Sequence, residues 1–354
     1  MALPRQARQA SAEWLKPSTA CLAISAQKFK TRKKAKIRCS DYRNLAPLTE
    51  AFLLFSQSIP SQNELGIIDP KAPTLELTVN GHDLTITQSP SVLSSNRAGG
   101  TTGAVVWKVT PMFAEWLASP TNIFARAGVL STSSTVLELG CGVSALVGLA
   151  LGPLVARYVL SDQPYVARFV EQNLGQNRRA AGGGGRPVAR PSGKRGRGRG
   201  RPHPGALSSS SSSSSPGAAA AAAGGAAGSV AFHPLDWEAD TPTHTLTGRE
   251  DARSFDLVLG CDCVYNEALI PPFVQTCLDV CELRSAEGNL EASPVGRPPC
   301  VCVVAQQLRD PEIFEAWLRE FCTRGFRAWR ISDTELPEGL RSSDGFVIHV
   351  GVLQ

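Results

Sequence analysis

One stretch constrains this chain more than any other. Val136-Leu137-Glu138-Leu139 is an apolar run broken by one acid, and it ends on Gly140-Cys141-Gly142 ahead of the small-residue segment 144–151. That pattern reads as a buried strand, a glycine turn and a helix. The glycines let the backbone approach a ligand at the carboxyl end of the strand. Twenty residues past Gly142, the second apolar run, 158–162, ends on Asp162. Its carboxylate is placed to accept hydrogen bonds from ribose hydroxyls, so a nucleotide-shaped ligand fits across the two strand ends.

The flanking pattern supplies the rest of such a fold. Before the glycine turn, residues 74–88 hold two alternating runs around Asn80-Gly81, which predicts a β-hairpin. A helix is expected over 111–118, with Thr110 as its N-cap and Pro111 at its first position. After Asp162 come a helix over 164–175, a third strand at 230–236 and a fourth at 255–265. A helix from Pro271-Pro272 to Cys281, a loop at 285–298 and a fifth strand, 300–307, follow. Asp310-Pro311-Glu312 carries an N-cap, a first-turn proline and a first-turn acid. Two closing strands, 326–332 and 345–353, are expected as an antiparallel hairpin. Repeated strand–helix units predict an α/β fold with a mostly parallel, doubly wound sheet.

The organisation is one domain with two additions. Residues 1–45 read as a basic tail. Its composition is like that of a mitochondrial presequence, but the charges of residues 31–38 cluster too tightly for a clean amphipathic helix, and disorder is the expected state. Residues 46–177 and 230–354 form the single domain. Residues 178–229 are an insertion of glycine/arginine, polyserine and polyalanine that cannot bury enough apolar surface to fold. Of the 36 Lys and Arg, ten lie within residues 1–40 and nine within 178–204, against one acid, Glu13. The remaining body is therefore acidic, which suits a basic protein substrate better than a phosphate backbone. The Arg-Gly tract leaves room for a weak RNA or ribosome contact. No apolar run is long enough to span a membrane, and a cytoplasmic monomer is expected. The ten cysteines lack paired metal spacing; they are expected reduced in the core, with no metal site.

Two further groups bear on chemistry. Leu235-Asp236-Trp237 ends the third strand, where Trp237 would line an adenine pocket and Asp236 accept from its amino group. Gly260-Cys261-Asp262-Cys263-Val264-Tyr265 ends the fourth. There an acid with an aromatic three residues on gives an acceptor amine one oxygen ligand and one ring face. Enzymes that methylate bases or glutamine carry Asn/Asp-Pro-Pro-aromatic at this place. Cys-Val in place of Pro-Pro argues for an amine. Ala145 completes a G-x-G-x-x-A pattern that also fits a nicotinamide site. Glu138 is the discriminator: it would repel a pyrophosphate, whereas a cationic sulfonium with an amino-acid tail accepts it.

The segments VWKVTPMFAEWL, VLELGCG, YVLSDQ, LDWE and GCDCVY, in this order, resemble the small seven-strand protein-lysine methyltransferases. The stretches GIIDPKAPTLELTV, TITQSPSVLSSNRAGGTTGAVVWKVTP and YNEALIPPFVQTC are similar to the fungal ribosomal lysine N-methyltransferase 5 family. The likeness covers about residues 65–177 and 230–354. It implies a Rossmann-like seven-strand methyltransferase sheet with a C-terminal antiparallel hairpin, preceded by the N-terminal β-hairpin. It implies S-adenosyl-L-methionine as cofactor, held at Trp107, Gly140, Cys141, Gly142, Asp162, Trp237 and Cys261. The family's aspartate-x-x-aromatic motif falls on Asp262 and Tyr265 as catalytic residues. The implied substrate is a lysine on the L1-stalk protein of the large ribosomal subunit. An RNA or small-molecule methyltransferase, or a non-catalytic cofactor-binding scaffold, are the alternatives.

Overall fold

The computed structural model describes residues 39–41, 47–59, 65–97, 100–181, 228–290 and 297–354. The first part of the chain holds β1 (Cys39–Asp41), α1 (Pro47–Phe55), the hairpin of β2 (Thr74–Val79) and β3 (His82–Thr87), α2 (Pro90–Leu93), α3 (Val109–Ala118) and α4 (Ile123–Ala127). The alternating part begins with β4 (Thr135–Leu139), α5 (Leu146–Leu151), β5 (Arg157–Asp162), α6 (Ala167–Ala181) and β6 (Ser229–Pro234). It continues through β7 (Leu257–Cys261), α7 (Ile270–Leu290), β8 (Val301–Gln307), α8 (Pro311–Thr323), β9 (Phe326–Ile331) and β10 (Phe346–Leu353).

Seven of these strands and the short edge strand β1 make one sheet in the order β1-β9-β10-β8-β7-β4-β5-β6. From β4 the chain steps outward to β5 and β6 in parallel, then returns to place β7 on the other side of β4, with β8 beyond it. The reversal leaves a crevice at the carboxyl ends of β4 and β7, where ligands bind open α/β sheets. β10 runs antiparallel between β8 and β9, the expected closing hairpin.

Alternation along the strands divides the core. Val136, Tyr158, Leu160, Leu257 and Leu259 pack with α3, α5 and the hairpin. Leu137, Leu139, Val159 and Val258 face α1, α7 and α8. Successive strand side chains point to opposite faces, so a sheet covered on both sides needs apolar residues at nearly every position. β4 and β7 are buried throughout. Full burial of Phe113 or Leu117 on α3 stabilises the fold by roughly 1.5–3 kcal/mol each.

The hairpin turns at Asn80 and Gly81, both at positive φ (51° and 75°), as a two-residue loop requires. It forms its own two-stranded sheet, and α6 covers the edge of β3. Asn173 accepts from Thr87 N (2.8 Å) and donates to Thr87 O (2.9 Å). Asn177 does the same with Thr85 at 3.0 and 2.9 Å. Two asparagines one helical turn apart thus replace a missing neighbour strand. Asn173 also donates to Val143 O at 2.7 Å, which ties the hairpin to the glycine turn.

Several boundaries differ from expectation. α3 starts at Val109 with Lys108 at the N-cap, so Thr110 lies inside the helix and makes no cap bond. α7 runs to Leu290 instead of ending at Cys281, because Arg284 is buried by an ion pair to Asp256 (2.5 Å) and a bond to Phe255 O (3.1 Å). α1 and α4 carry too short an apolar pattern to be read from sequence. Asp310 caps α8 as expected, accepting from Glu312 N and Ile313 N. Of the expected tail 1–45, only Cys39–Asp41 is described, paired with β9. The expected insertion 178–229 lies outside the described residues but for the end of α6 and residues 228–229. Among the described residues no helix is long and apolar enough to cross a membrane.

Candidate functional site

A cavity of about 330 Å³ opens at the carboxyl ends of β4, β5, β6 and β7. All eleven residues singled out from the sequence line it. Trp107, Glu138, Gly140, Cys141, Gly142 and Asp162 come from the first half of the chain. Asp236, Trp237, Cys261, Asp262 and Tyr265 come from the second.

The glycine turn is held from both sides. Cys141 N donates to Ser161 O (3.0 Å), and Val143 N to Gly103 O (2.8 Å). Gly140 and Gly142 have φ of 68° and 58°. A Cβ on Gly140 would lie 2.7 Å from Cys263 Sγ; one on Gly142 would lie 2.9 Å from the Gly103 carbonyl oxygen. Ala145 also sits at positive φ, 55°, where the chain enters α5.

Two carboxylates stand at this turn. Asp162 accepts from Gly142 N (2.8 Å) and Gln163 N (2.7 Å). Burial pushes its pKa up to about 6, against the pull of those two donors. Glu138 is buried within β4 and accepts from the Tyr158 hydroxyl at 2.7 Å. Burial raises it to about 7; the Tyr158 bond works downward and the Asp162 charge upward. Cys141 and Cys261 are buried free thiols whose pKa burial raises well above the ordinary range.

On the next wall, Trp237 packs on Phe273 with ring centroids 5.1 Å apart. Its indole Nε1 is buried and has no acceptor among the described residues. β6 stops at Pro234, so Asp236 and Trp237 lie in the loop after it, where Asp236 accepts from Glu238 N at 3.0 Å.

The far wall begins where β7 ends. Asp262 takes φ 59°, which stops the strand earlier than its apolar sequence suggests. Its side chain is 2% exposed and is gripped by Arg309 at 2.8 and 2.6 Å. Tyr265 accepts from Thr102 Oγ1 at 2.8 Å, and Trp107 Nε1 donates to Thr102 O at 3.0 Å. Burial raises the Tyr265 pKa. Sequence reasoning missed Thr102, Gly103, Tyr165 and Arg309, all of which line the cavity. For Arg309 a signal existed: a charged residue two positions past the end of a parallel strand sits at the same carboxyl edge as the glycine turn.

The set can hold a nucleoside and an amino-acid tail. It has a backbone cradle without side chains, a strand-end carboxylate, an indole and an inner acid. Among the described residues no group of His, Cys, Asp and Glu is arranged to hold a metal ion.

Over 263 residues the chain is 27% identical to a Schizosaccharomyces pombe protein named diaminohydroxyphosphoribosylamino-pyrimidine deaminase, covering 74% of this chain and 48% of that protein. It is 28% identical over 262 residues to ribosomal lysine N-methyltransferase 5 of Zygosaccharomyces rouxii, covering 67% of this chain and 70% of the other. The protein of that name in Vanderwaltozyma polyspora is 26% identical over 35% of this chain and 48% of its own length. The chain thus spans about half the length of two of these three relatives. The family model described as lysine methyltransferase matches residues 87–183 and 218–288, a reach from the end of the hairpin through the glycine turn, Asp162, Trp237 and Asp262 into α7. Over these residues, just under half of its length, the chain is similar to the lysine methyltransferase family.

Proposed function

We propose that this chain is an S-adenosylmethionine-dependent protein-lysine N-methyltransferase that modifies a lysine of a large-subunit ribosomal protein, the L1-stalk protein. One observation carries the reading: the cofactor-type residues and the Asp262/Tyr265 pair bound a single cavity. Gly140, Cys141 and Gly142 would cradle the amino-acid tail beside Glu138. Asp162 would accept from the ribose hydroxyls, and Trp237 with Asp236 would border the adenine. The Trp237 Nε1, without an acceptor among the described residues, and the side-chain-free cradle fit such an occupant. When bound, S-adenosylmethionine supplies an electrophilic methyl group. Asp262 and Tyr265 form the acceptor wall, where the amine must be oriented in line with that methyl. The relatives named ribosomal lysine N-methyltransferase 5 support a ribosomal substrate. The acidic body of the chain suits a basic one.

Incubation of the purified protein with labelled cofactor and fungal ribosomes, followed by mass spectrometry of the labelled product, tests this. Methyl groups on lysine of one large-subunit protein are expected. A lysine ammonium, of reference pKa about 10.4, must lose its proton before it attacks, so the rate should rise from neutral to alkaline pH. Label on RNA, or on glutamine or arginine, overturns the reading.

Asp162→Ala should weaken S-adenosylhomocysteine binding by about 1.5–3 kcal/mol, the scale of hydrogen bonds to a charged group. Calorimetry reads that loss. Turnover at saturating cofactor should fall less, and unchanged affinity with lost turnover would give Asp162 a different role.

A further inference from the structure

Asp262 was expected to offer its carboxylate to an acceptor, yet in the fold that carboxylate is already engaged. Oδ1 accepts from Arg309 Nη1 (2.8 Å) and from Gln307 N (3.2 Å), and Oδ2 accepts from Arg309 Nη2 (2.6 Å). The pair is a two-pronged guanidinium–carboxylate contact, a geometry that a lysine ammonium cannot reproduce. Arg309 does more than neutralise. Its Nε donates to Leu65 O (3.1 Å) and its Nη2 to Gln307 Oε1 (3.0 Å). Its guanidinium carbon lies 5.1 Å from the centroid of the Trp107 ring. Four separate segments therefore meet on one side chain: the segment at Trp107, the segment at Leu65, the end of β8 and the turn after β7.

The Leu65 segment is held to the segment at Val106–Lys108 by the rest of its backbone. Lys108 N donates to Gly66 O (2.7 Å) and Ile68 N to Val106 O (3.1 Å), with a bridge between Ile67 and Trp107. At Gly66, φ 83°, a Cβ would lie 1.9 Å from Gln307 Oε1 and 2.7 Å from Arg309 Nη2. The segment is seated directly against the Arg309 head. Arg309 and Tyr265 also border a second, smaller cleft of about 50 Å³, lined by Phe55 of α1 and Phe314 of α8. Arg309 stands at the partition between that cleft and the main cavity.

We propose that Arg309 is the positioning residue of the acceptor wall. It fixes Asp262 in its left-handed turn and pins the Leu65 segment, so that an entering amine meets a rigid ion pair without net charge instead of a free carboxylate. The inference rests on the lysine methyltransferase reading for its kinetic arm only.

The test compares Arg309→Ala, Arg309→Lys, Asp262→Asn and the Asp262→Asn/Arg309→Ala double variant, which removes both charges and so leaves none buried alone. On a lysine substrate, each single variant should lose about 100-fold in kcat, the scale of a reacting group displaced by about 1 Å. S-adenosylhomocysteine affinity should stay within a few-fold. The double variant should be no worse than the poorer single one, since the two residues act as a unit. Millimolar guanidinium should restore part of the Arg309→Ala activity and none of the double variant's. Wild-type kcat in Arg309→Lys would overturn the proposal, as would a loss of cofactor affinity in step with kcat. Should the wild type methylate no lysine at all, the functional reading fails while this inference is still decided by amide exchange. Arg309→Ala should speed exchange at residues 66–68, and guanidinium should slow it again; unchanged exchange there overturns the pinning.

Discussion

Gly140→Arg should abolish S-adenosylhomocysteine binding while the protein stays folded. The reasons lie in backbone and space together. Gly140 sits at φ 68°, where any residue with a Cβ is strained by roughly 1–2 kcal/mol. Its Cβ would meet Cys263 Sγ at 2.7 Å and the Trp237 ring at 3.1 Å. The remaining side chain can only turn into the cavity of about 330 Å³, which is the space a cofactor would take. Calorimetry should show affinity lowered beyond about 100-fold, equivalent to about 2.7 kcal/mol. Gly140→Ala separates the causes: it carries the strain and the Cys263 contact but leaves most of the cavity free, so its loss should be clearly smaller. Near-native affinity in a folded Gly140→Arg protein would put the cofactor elsewhere.

Much of this site could be read from sequence because its position follows from chain order. In a doubly wound sheet each parallel strand delivers its last residue to the same edge, so the ends of four apolar runs were bound to meet. Gly140, Asp162, Trp237 and Asp262 each stand at or just beyond such an end. The hairpin was legible for a local reason, since Asn80-Gly81 states its own turn. What stayed hidden depends on contacts between residues far apart. The expected helix ends at Cys281 because the burial of Arg284, which carries α7 onward, depends on Asp256, 28 residues away. Arg309 meets Asp262 across 47 residues and Leu65 across 244. No spacing rule encodes such a meeting. Asp262 itself was placed correctly at the strand end, but its engagement by Arg309 follows only from the fold. Asn173 lies inside the expected helix 164–175 and Asn177 beyond it, and only the fold brings both to the edge of β3.

Glu138→Gln should both stabilise the ligand-free protein above neutral pH and weaken cofactor binding. Burial is the main cause of the raised Glu138 pKa, from 4.5 to about 7. The folded state therefore holds its proton more tightly than the unfolded chain does. The stability this contributes is complete below pH 4.5 and is lost as pH rises through 7. At about 1.4 kcal/mol per pH unit, the glutamine variant should gain about 3 kcal/mol relative to the wild type between pH 4.5 and pH 8. Glutamine keeps an oxygen to accept from Tyr158, so the packing around β4 need not change. A charge buried at this cost beside a glycine cradle is poised for a cationic ligand, and the cofactor's amino-acid tail carries one. Wild-type affinity for S-adenosylhomocysteine should therefore rise as pH passes from about 6 to 8, while the variant's stays flatter and lower. Denaturant titrations across pH read the first effect and calorimetry at the same pH values reads the second. A wild-type affinity independent of pH in that window would mean that Glu138 is a structural acid bonded to Tyr158 and nothing more.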